Sequence, residues 1–189
     1  GQTTVVSSGF NYLAASYLYW VDTSTGSATI ARSNLDGTGI NPTFAAADCG
    51  GAPNCTTVPG MAPSSLAVDD NNVYWINAAP GDDSTAASIG SIGLDGSNPN
   101  NNLIPNVDNS SLDGGVIAAG GGRIYWINCN DPEDFACTQT IGAADMDGKN
   151  VNYSFIQTTG VAGGITSLAA DSSGIYWADG DGTGQVMSA

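Results

Sequence analysis

Apolar residues along this chain fall in short runs broken by turns of Gly, Asn, Asp and Ser, and the runs recur. The most regular run holds a tyrosine–tryptophan pair. Its copies are Tyr19-Trp20-Val21-Asp22, Tyr74-Trp75-Ile76-Asn77, Tyr125-Trp126-Ile127-Asn128 and Tyr176-Trp177-Ala178-Asp179. Successive tryptophans lie 55, 51 and 51 residues apart, and none falls outside the pattern. A fixed period of this length marks a repeat architecture, in the range of propeller blades.

Alignment on Trp20, Trp75, Trp126 and Trp177 exposes a longer unit. An apolar strand precedes each, at Tyr12–Ser16, Ser65–Asp69, Gly115–Ala119 and Ser167–Asp171, followed by a polar turn such as Asp70-Asn71-Asn72. A third strand follows the tryptophan strand at Thr29–Ser33, Ser88–Ile92 and Thr140–Ala144. It runs into Asp-Gly at Asp36-Gly37, Asp95-Gly96 and Asp147-Gly148. Asp-Gly supplies the positive φ of a tight hairpin. A fourth strand is clearest at Asn152–Ile156. Four antiparallel strands per repeat make a β-propeller blade, so the pattern predicts an all-β chain forming one domain over residues 1–189. The tryptophan strand is apolar at successive positions rather than alternating, as expected when a blade is covered on both faces. Each tryptophan is then a wedge between neighbouring blades rather than a ligand platform.

After Trp177 there is room for a third strand, Gln185–Ala189, but not a fourth. Thr3-Thr4-Val5-Val6 is an unpaired strand candidate at the other end. As the outer strand of the last blade it closes four blades into a ring and removes the free edges. Added instead to another subunit, it builds dimers or filaments.

The Tyr-Trp-x-Asp strand, the preceding Leu66-Ala67-Val68-Asp69 and the following Leu-Asp-Gly resemble the YWTD (class B) repeats of the low-density-lipoprotein receptor family. The resemblance covers nearly the whole chain. It implies a propeller serving as a binding or structural module, and no particular ligand. The chain departs from the pattern at the Thr position, which holds Val21, Ile76, Ile127 and Ala178, and at Asn77 and Asn128 in place of Asp. Propellers of this type usually have six blades, whereas four tryptophan strands are present here.

Composition narrows the function. Eighteen acidic residues face only Arg32, Arg123 and Lys149, for a formal net charge of −15. Nucleic acid and anionic membranes are excluded as partners, because binding them relies on neutralising phosphates with Lys and Arg. No apolar run approaches the ~20 residues that span a bilayer, so no transmembrane segment is expected. The N-terminus shows no charged-then-apolar leader, and the expectation is that any signal peptide is already removed. Histidine is absent, which removes the usual neutral-pH base, the Ser–His–Asp arrangement and His-based zinc sites. The cysteines form two local pairs, Cys49…Cys55 and Cys129…Cys137, neither with metal or redox spacing. Two loop-stapling disulfides are the simplest pairing of the three available, which places the chain outside the cytoplasm, secreted or at the cell surface.

Strand order sends the second-to-third loops and the crossings between blades to one rim, and the short turns to the other. The loop rim holds the length variation, both cysteine pairs and eleven of the eighteen carboxylates. Variable loops on a rigid scaffold are where binding residues sit. The candidate binding residues are Asp82, Asp83, Asp131, Glu133 and Asp134. Asp179, Asp181 and Thr183 place oxygens at alternating positions of a Gly-rich loop, a pattern that suits Ca²⁺ and equally a plain hairpin turn. A pair of carboxylates, or a carboxylate-held metal, is the only route left to a hydrolase. The reading is a non-catalytic module for a protein or glycan partner, with a self-assembling polymer subunit and a hydrolase as the alternatives.

Overall fold

The computed structural model describes residues 12–14, 16–24, 26–77, 87–107, 115–129, 139–157, 164–179 and 186–189. They form four antiparallel sheets in chain order, with no helix among the described residues. The first sheet holds β1 (Tyr12–Ala14), β2 (Tyr17–Asp22), β3 (Thr29–Asn34), β4 (Asn41–Ala46) and β5 (Thr56–Thr57). The second holds β6 (Pro63–Val68), β7 (Asn72–Asn77), β8 (Ala87–Gly93) and β9 (Asn100–Val107). The third holds β10 (Ile117–Gly120), β11 (Arg123–Cys129), β12 (Gln139–Asp145) and β13 (Asn152–Gln157). The fourth holds β14 (Ile165–Ala170), β15 (Ile175–Asp179) and β16 (Val186–Ser188). These are the expected blades, meandering outward from the first strand of each sheet. The short β5, which the repeat did not predict, adds to β4 in parallel.

The Tyr-Trp pair divides its labour because successive residues of a strand face opposite sides of a sheet. Tyr19 belongs to the buried cluster between the first and second sheets, Tyr74 to that between second and third, and Tyr125 to that between third and fourth. Trp75, Trp126 and Trp177 reach backward into the same three clusters. Each of these three seams thus buries a tyrosine from one blade and a tryptophan from the next. Each buried indole contributes roughly 1.5–3 kcal/mol or more of packing. Trp20, on the backward face of the first sheet, stays half-buried. Thr3–Val6 lies outside the described residues, and none of the three clusters joins the fourth sheet to the first.

The strand beside each inner tryptophan makes room for it. Gly90 pairs with Trp75 and Gly142 with Trp126, so each indole lies flat against the bare backbone of the third strand. A Cβ built on either glycine would stand 2.3 Å from the indole. In the outer sheets the partners are Ala31 and Met187.

The outer strand of each blade is bulged against the third, with register shifts in all three pairs. One hydroxyl spans each irregularity. Thr29 Oγ1 donates to the Pro42 carbonyl at 2.8 Å, Ser88 Oγ to Asn101 at 3.1 Å, and Thr140 Oγ1 to Tyr153 at 2.9 Å. The acceptors lie at the same distance past their Asp-Gly turns, so this bond is part of the repeat.

Replacing Gly90 or Gly142 by Ala should destabilise the fold by about 1–3 kcal/mol, because the new methyl enters space the indole fills. Alanine in a strand otherwise gains over glycine, so the sign is diagnostic. Denaturant unfolding of each variant measures it, and an unchanged or raised midpoint would remove the packing account.

Candidate functional site

The two rims differ in how they are built. On the turn rim the three Asp-Gly hairpins are copies of one another. Gly37, Gly96 and Gly148 adopt φ of 79°, 89° and 78°. Their N–H groups donate to the carbonyls of Asn34, Gly93 and Asp145 at 2.8–2.9 Å. Each aspartate turns back on the chain. Asp36 Oδ1 accepts from the Thr38 N–H at 2.9 Å and the Thr38 hydroxyl at 2.7 Å. Asp95 Oδ1 accepts from the Ser97 N–H at 2.9 Å, and Asp147 Oδ1 from the Lys149 N–H at 3.1 Å. These donors favour the charged form and hold all three carboxyls below the ordinary aspartate range. At Asp147 the hydrogen bond from the Lys149 ammonium is the largest cause, ahead of the backbone N–H.

The second and third of these hairpins also pack against the blade before them. The Leu94 carbonyl, just ahead of Asp95, accepts from Arg32 at 2.8 Å and from the Tyr19 hydroxyl at 3.4 Å. The Arg32 guanidinium also lies over the rings of Tyr17 and Phe44, at 4.5 and 4.4 Å. Across the next seam the Tyr153 hydroxyl donates to the Pro105 carbonyl at 2.8 Å. Burial pushes the phenols of Tyr19 and Tyr74 upward. Arg32 opposes the shift at Tyr19, and the nearby Asp69 charge reinforces it at Tyr74. The turn rim is therefore committed to holding the array together.

The candidate residues are assigned to the loop rim from the strand order alone. Asp82, Asp83, Asp131, Glu133, Asp134, Asp181 and Thr183 all lie outside the described residues, while Asp179 ends β15. Among the described residues no three His, Cys, Asp or Glu side chains converge as a metal site would. Asp22 is described, and its Oδ1 accepts from the Ser24 N–H at 2.8 Å, an ordinary loop-capping role.

The cysteine loops need one correction. Cys49 and Cys55 are joined, with Cα atoms 5.9 Å apart. Their loop does not stand on the loop rim as its place between two blades implied. It folds back along the outside of the first sheet, where Thr56 and Thr57 pair in parallel with Ala45 and Ala46. The Asn54 carbonyl accepts from the Asn41 amide at 2.9 Å, and the Thr56 hydroxyl donates to the Gly96 carbonyl at 3.3 Å. Unpaired β4 backbone drives this return, since an edge strand offers a row of free donors and acceptors. Cys137 and the Cys129 side chain fall outside the described residues, and so does their expected pairing.

A further buried polar centre went unread in the sequence. Asn77, placed where the repeat pattern has Asp, accepts at Oδ1 from the Trp75 indole N–H at 2.8 Å and the Ala62 N–H at 3.0 Å. Its Nδ2 donates to Ser88 Oγ at 3.0 Å and to the carbonyl and side-chain oxygens of Asn101 at 2.9 and 3.0 Å. An aspartate could accept from the Ser88 hydroxyl but would meet the two Asn101 oxygens with no proton to give, so the amide suits this site better than a carboxylate. It ties the crossing into the second blade to that blade's outer strand. The only signal for it was the departure from Asp.

Residues 16–69 match the family model described as low-density lipoprotein receptor repeat class B. That segment is therefore similar to a YWTD-type repeat. The crystal structure of a nidogen/laminin complex contains a similar fold, at 21% identity and a TM-score of 0.52, over 87% of this chain and 52% of that one. TolB from Acinetobacter baumannii is similar at 11% identity and a TM-score of 0.51, over 92% of this chain and 40% of that one. The chain thus spans about half the length of the nidogen chain it matches. These likenesses identify the four sheets as blades of a β-propeller. No curated protein sequence matches the chain.

Stability should be flat near neutral pH and fall at both extremes. Asp36, Asp95 and Asp147 titrate lower folded than unfolded, so their contribution is present above about pH 4 and is lost as pH falls through the folded values. Tyr19 and Tyr74 titrate higher folded than unfolded, so theirs is present below about pH 10 and is lost as pH rises through the folded values. Thermal melts from pH 2 to 11 check this. A Tm rising toward either extreme would contradict it.

Proposed function

We propose that this chain is a non-catalytic propeller module, a single domain over residues 1–189, that binds an extracellular protein through its acidic loop rim. The division between the rims carries this reading. The Asp95-Gly96 hairpin of the turn rim is used in blade-to-blade contact, through the bonds from Arg32 and Tyr19 to Leu94, and Gly148 packs on Leu103 of the blade before it. On this reading the opposite rim takes most of the irregular sequence between the repeats. Its Asp82, Asp83, Asp131, Glu133 and Asp134 form an acidic surface that selects basic patches on a protein partner and speeds encounter with them. A disulfide at Cys49–Cys55 suits a secreted or cell-surface location. No helix among the described residues is long and apolar enough to cross a membrane. The nidogen propeller was solved in complex with laminin, a protein partner for a fold of this kind.

The three-stranded fourth sheet favours one further reading. The outer edge of β16 takes Thr3–Val6, from the same chain or from another copy.

The rim is tested by the variant D82N/D83N/D131N/E133Q/D134N, compared with the native chain by surface plasmon resonance against a panel of extracellular matrix proteins. A partner should bind the native chain in a salt-sensitive way and lose about tenfold or more in affinity to the variant. Turn-rim changes such as Asp95→Asn should leave binding intact. Equal binding by both chains across the panel would overturn the rim reading.

A further inference from the structure

The turns at Asp95-Gly96 and Asp147-Gly148 combine a structural need with a chemical weakness. The hairpin takes Asp-Gly because glycine supplies the positive φ, 89° at Gly96 and 78° at Gly148. The same pair is the one at which a polypeptide most readily rearranges. The glycine nitrogen, with no side chain beside it, attacks Cγ of the aspartate before it. A C–N bond forms, and the amide proton and a carboxyl hydroxyl leave as water. The cyclic imide then takes water back at either carbonyl. Opening at the main-chain carbonyl leaves isoaspartate, whose backbone runs through Cβ and Cγ and is one methylene longer. The sequence is redox-neutral and needs only water. Asp95 and Asp147 are both exposed, so burial does not shield them.

Three restraints oppose the attack. The nitrogens are engaged, Gly96 donating to the Gly93 carbonyl at 2.8 Å and Gly148 to that of Asp145 at 2.9 Å. The carboxyls are turned away, toward the N–H groups of Ser97 at 2.9 Å and Lys149 at 3.1 Å. Bonds from the Ser97 and Lys149 side chains and N–H groups also favour the ionised form, and a carboxylate resists a nucleophile. The third restraint comes from the neighbouring blade. The carbonyls on either side of Asp95-Gly96 are both taken by the first blade and its return. Leu94 accepts from Arg32 at 2.8 Å and Tyr19 at 3.4 Å, and Gly96 accepts from the Thr56 hydroxyl at 3.3 Å. Against the third blade's turn lies the second blade's outer strand, where a Cβ on Gly148 would stand 2.6 Å from the Leu103 carbonyl oxygen. Past that turn the Tyr153 hydroxyl holds the Pro105 carbonyl of the same strand at 2.8 Å. Bringing the glycine nitrogen to Cγ rotates the peptide planes around it, which these contacts resist while the seam is closed.

We propose that Asp95-Gly96 and Asp147-Gly148 are conditional modification sites, inert while their seams are closed and converted to isoaspartate when a seam parts. Each turn reports on the seam it sits against, Asp95 on that between the first and second blades and Asp147 on that between the second and third. The rate follows the fraction of time a seam is open, because only the open turn can reach the ring-closing geometry. An isomerised turn is a methylene too long for its hairpin and misplaces the carbonyls the neighbouring blade holds. The modification thus turns a passing separation of two blades into a lasting one. It requires nothing of the loop rim and stands apart from partner binding there.

The test holds the full chain at neutral pH and body temperature for several weeks, beside the same chain in denaturant, and locates isoaspartate by peptide mapping. Both positions should isomerise about tenfold or more slowly in the native chain. Arg32→Gln removes a charged donor from the Leu94 carbonyl and should raise the rate at Asp95 about tenfold, with Asp147 unchanged. Thr56→Val, which leaves the buried clusters intact, should act at the same position to a smaller extent. Tyr153→Phe should act at Asp147 alone. Thermal melts show which variants fold, and Thr56→Val and Tyr153→Phe keep the test open if Arg32→Gln does not. Chain isolated with isoaspartate at position 95 should melt below unmodified chain. Equal rates in native and denatured chain would overturn the proposal. So would folded variants that raise both positions alike, or neither, and so would an isomerised chain that melts unchanged.

Discussion

The structure depends on a tryptophan ring packed against a single glycine of the neighbouring strand. At Trp75 and Trp126 the indole covers Gly90 and Gly142, and a tyrosine from the preceding blade meets its other side of the seam. A sheet that is apolar on both faces has no stability alone, because each face must be covered. The Tyr-Trp pair solves this by giving every blade one large ring forward and one backward. Stability is then shared between neighbours, as in other repeat arrays. The cost falls on polar atoms. The indole N–H of Trp75 finds Asn77, while those of Trp126 and Trp177 are buried without a partner among the described residues.

Much of this was legible because the period and the strand alternation are both written in residue types. The Asp-Gly turns, the four-strand unit and the role of the tryptophans as wedges follow from the repeat, whereas the direction in which they point does not. What escaped notice was whatever depends on a single side chain's partner. The hydroxyls of Thr29, Ser88 and Thr140 recur in space, yet the loops before them differ in length, so they drift relative to the tryptophans. Asn77 read as a lapse from Asp, although its amide protons are what its neighbours demand. The return of the Cys49–Cys55 loop is a backbone event with no pattern in side-chain polarity. The candidate binding carboxylates were found from composition and loop length, properties that locate a surface without shaping it.

Acidic residues serve two different ends here. On the turn rim each aspartate is spent on a nearby N–H, and its charge is a by-product of shaping a hairpin. Asp22 and Asp48 are spent in the same way on nearby loop N–H groups, and the proposed binding role falls to the remaining carboxylates assigned to the loop rim. A net charge of −15 with two stacked arginines leaves little positive surface, so the few cationic positions carry unusual weight.

The strand β5 gives the first blade something the second and third lack among their described residues, a cover for its outer edge. Bare edges at β9 and β13 are templates for any extended peptide. At β4 that template is occupied by the chain's own Thr56 and Thr57, held in place by a cystine six residues across. The cystine is thus a guard as much as a brace. In oxidising surroundings the chain keeps that edge to itself, and reduction turns the same edge into an adhesive one. Retention of the molecule in a reducing compartment would therefore show itself as aggregation before it showed itself as unfolding.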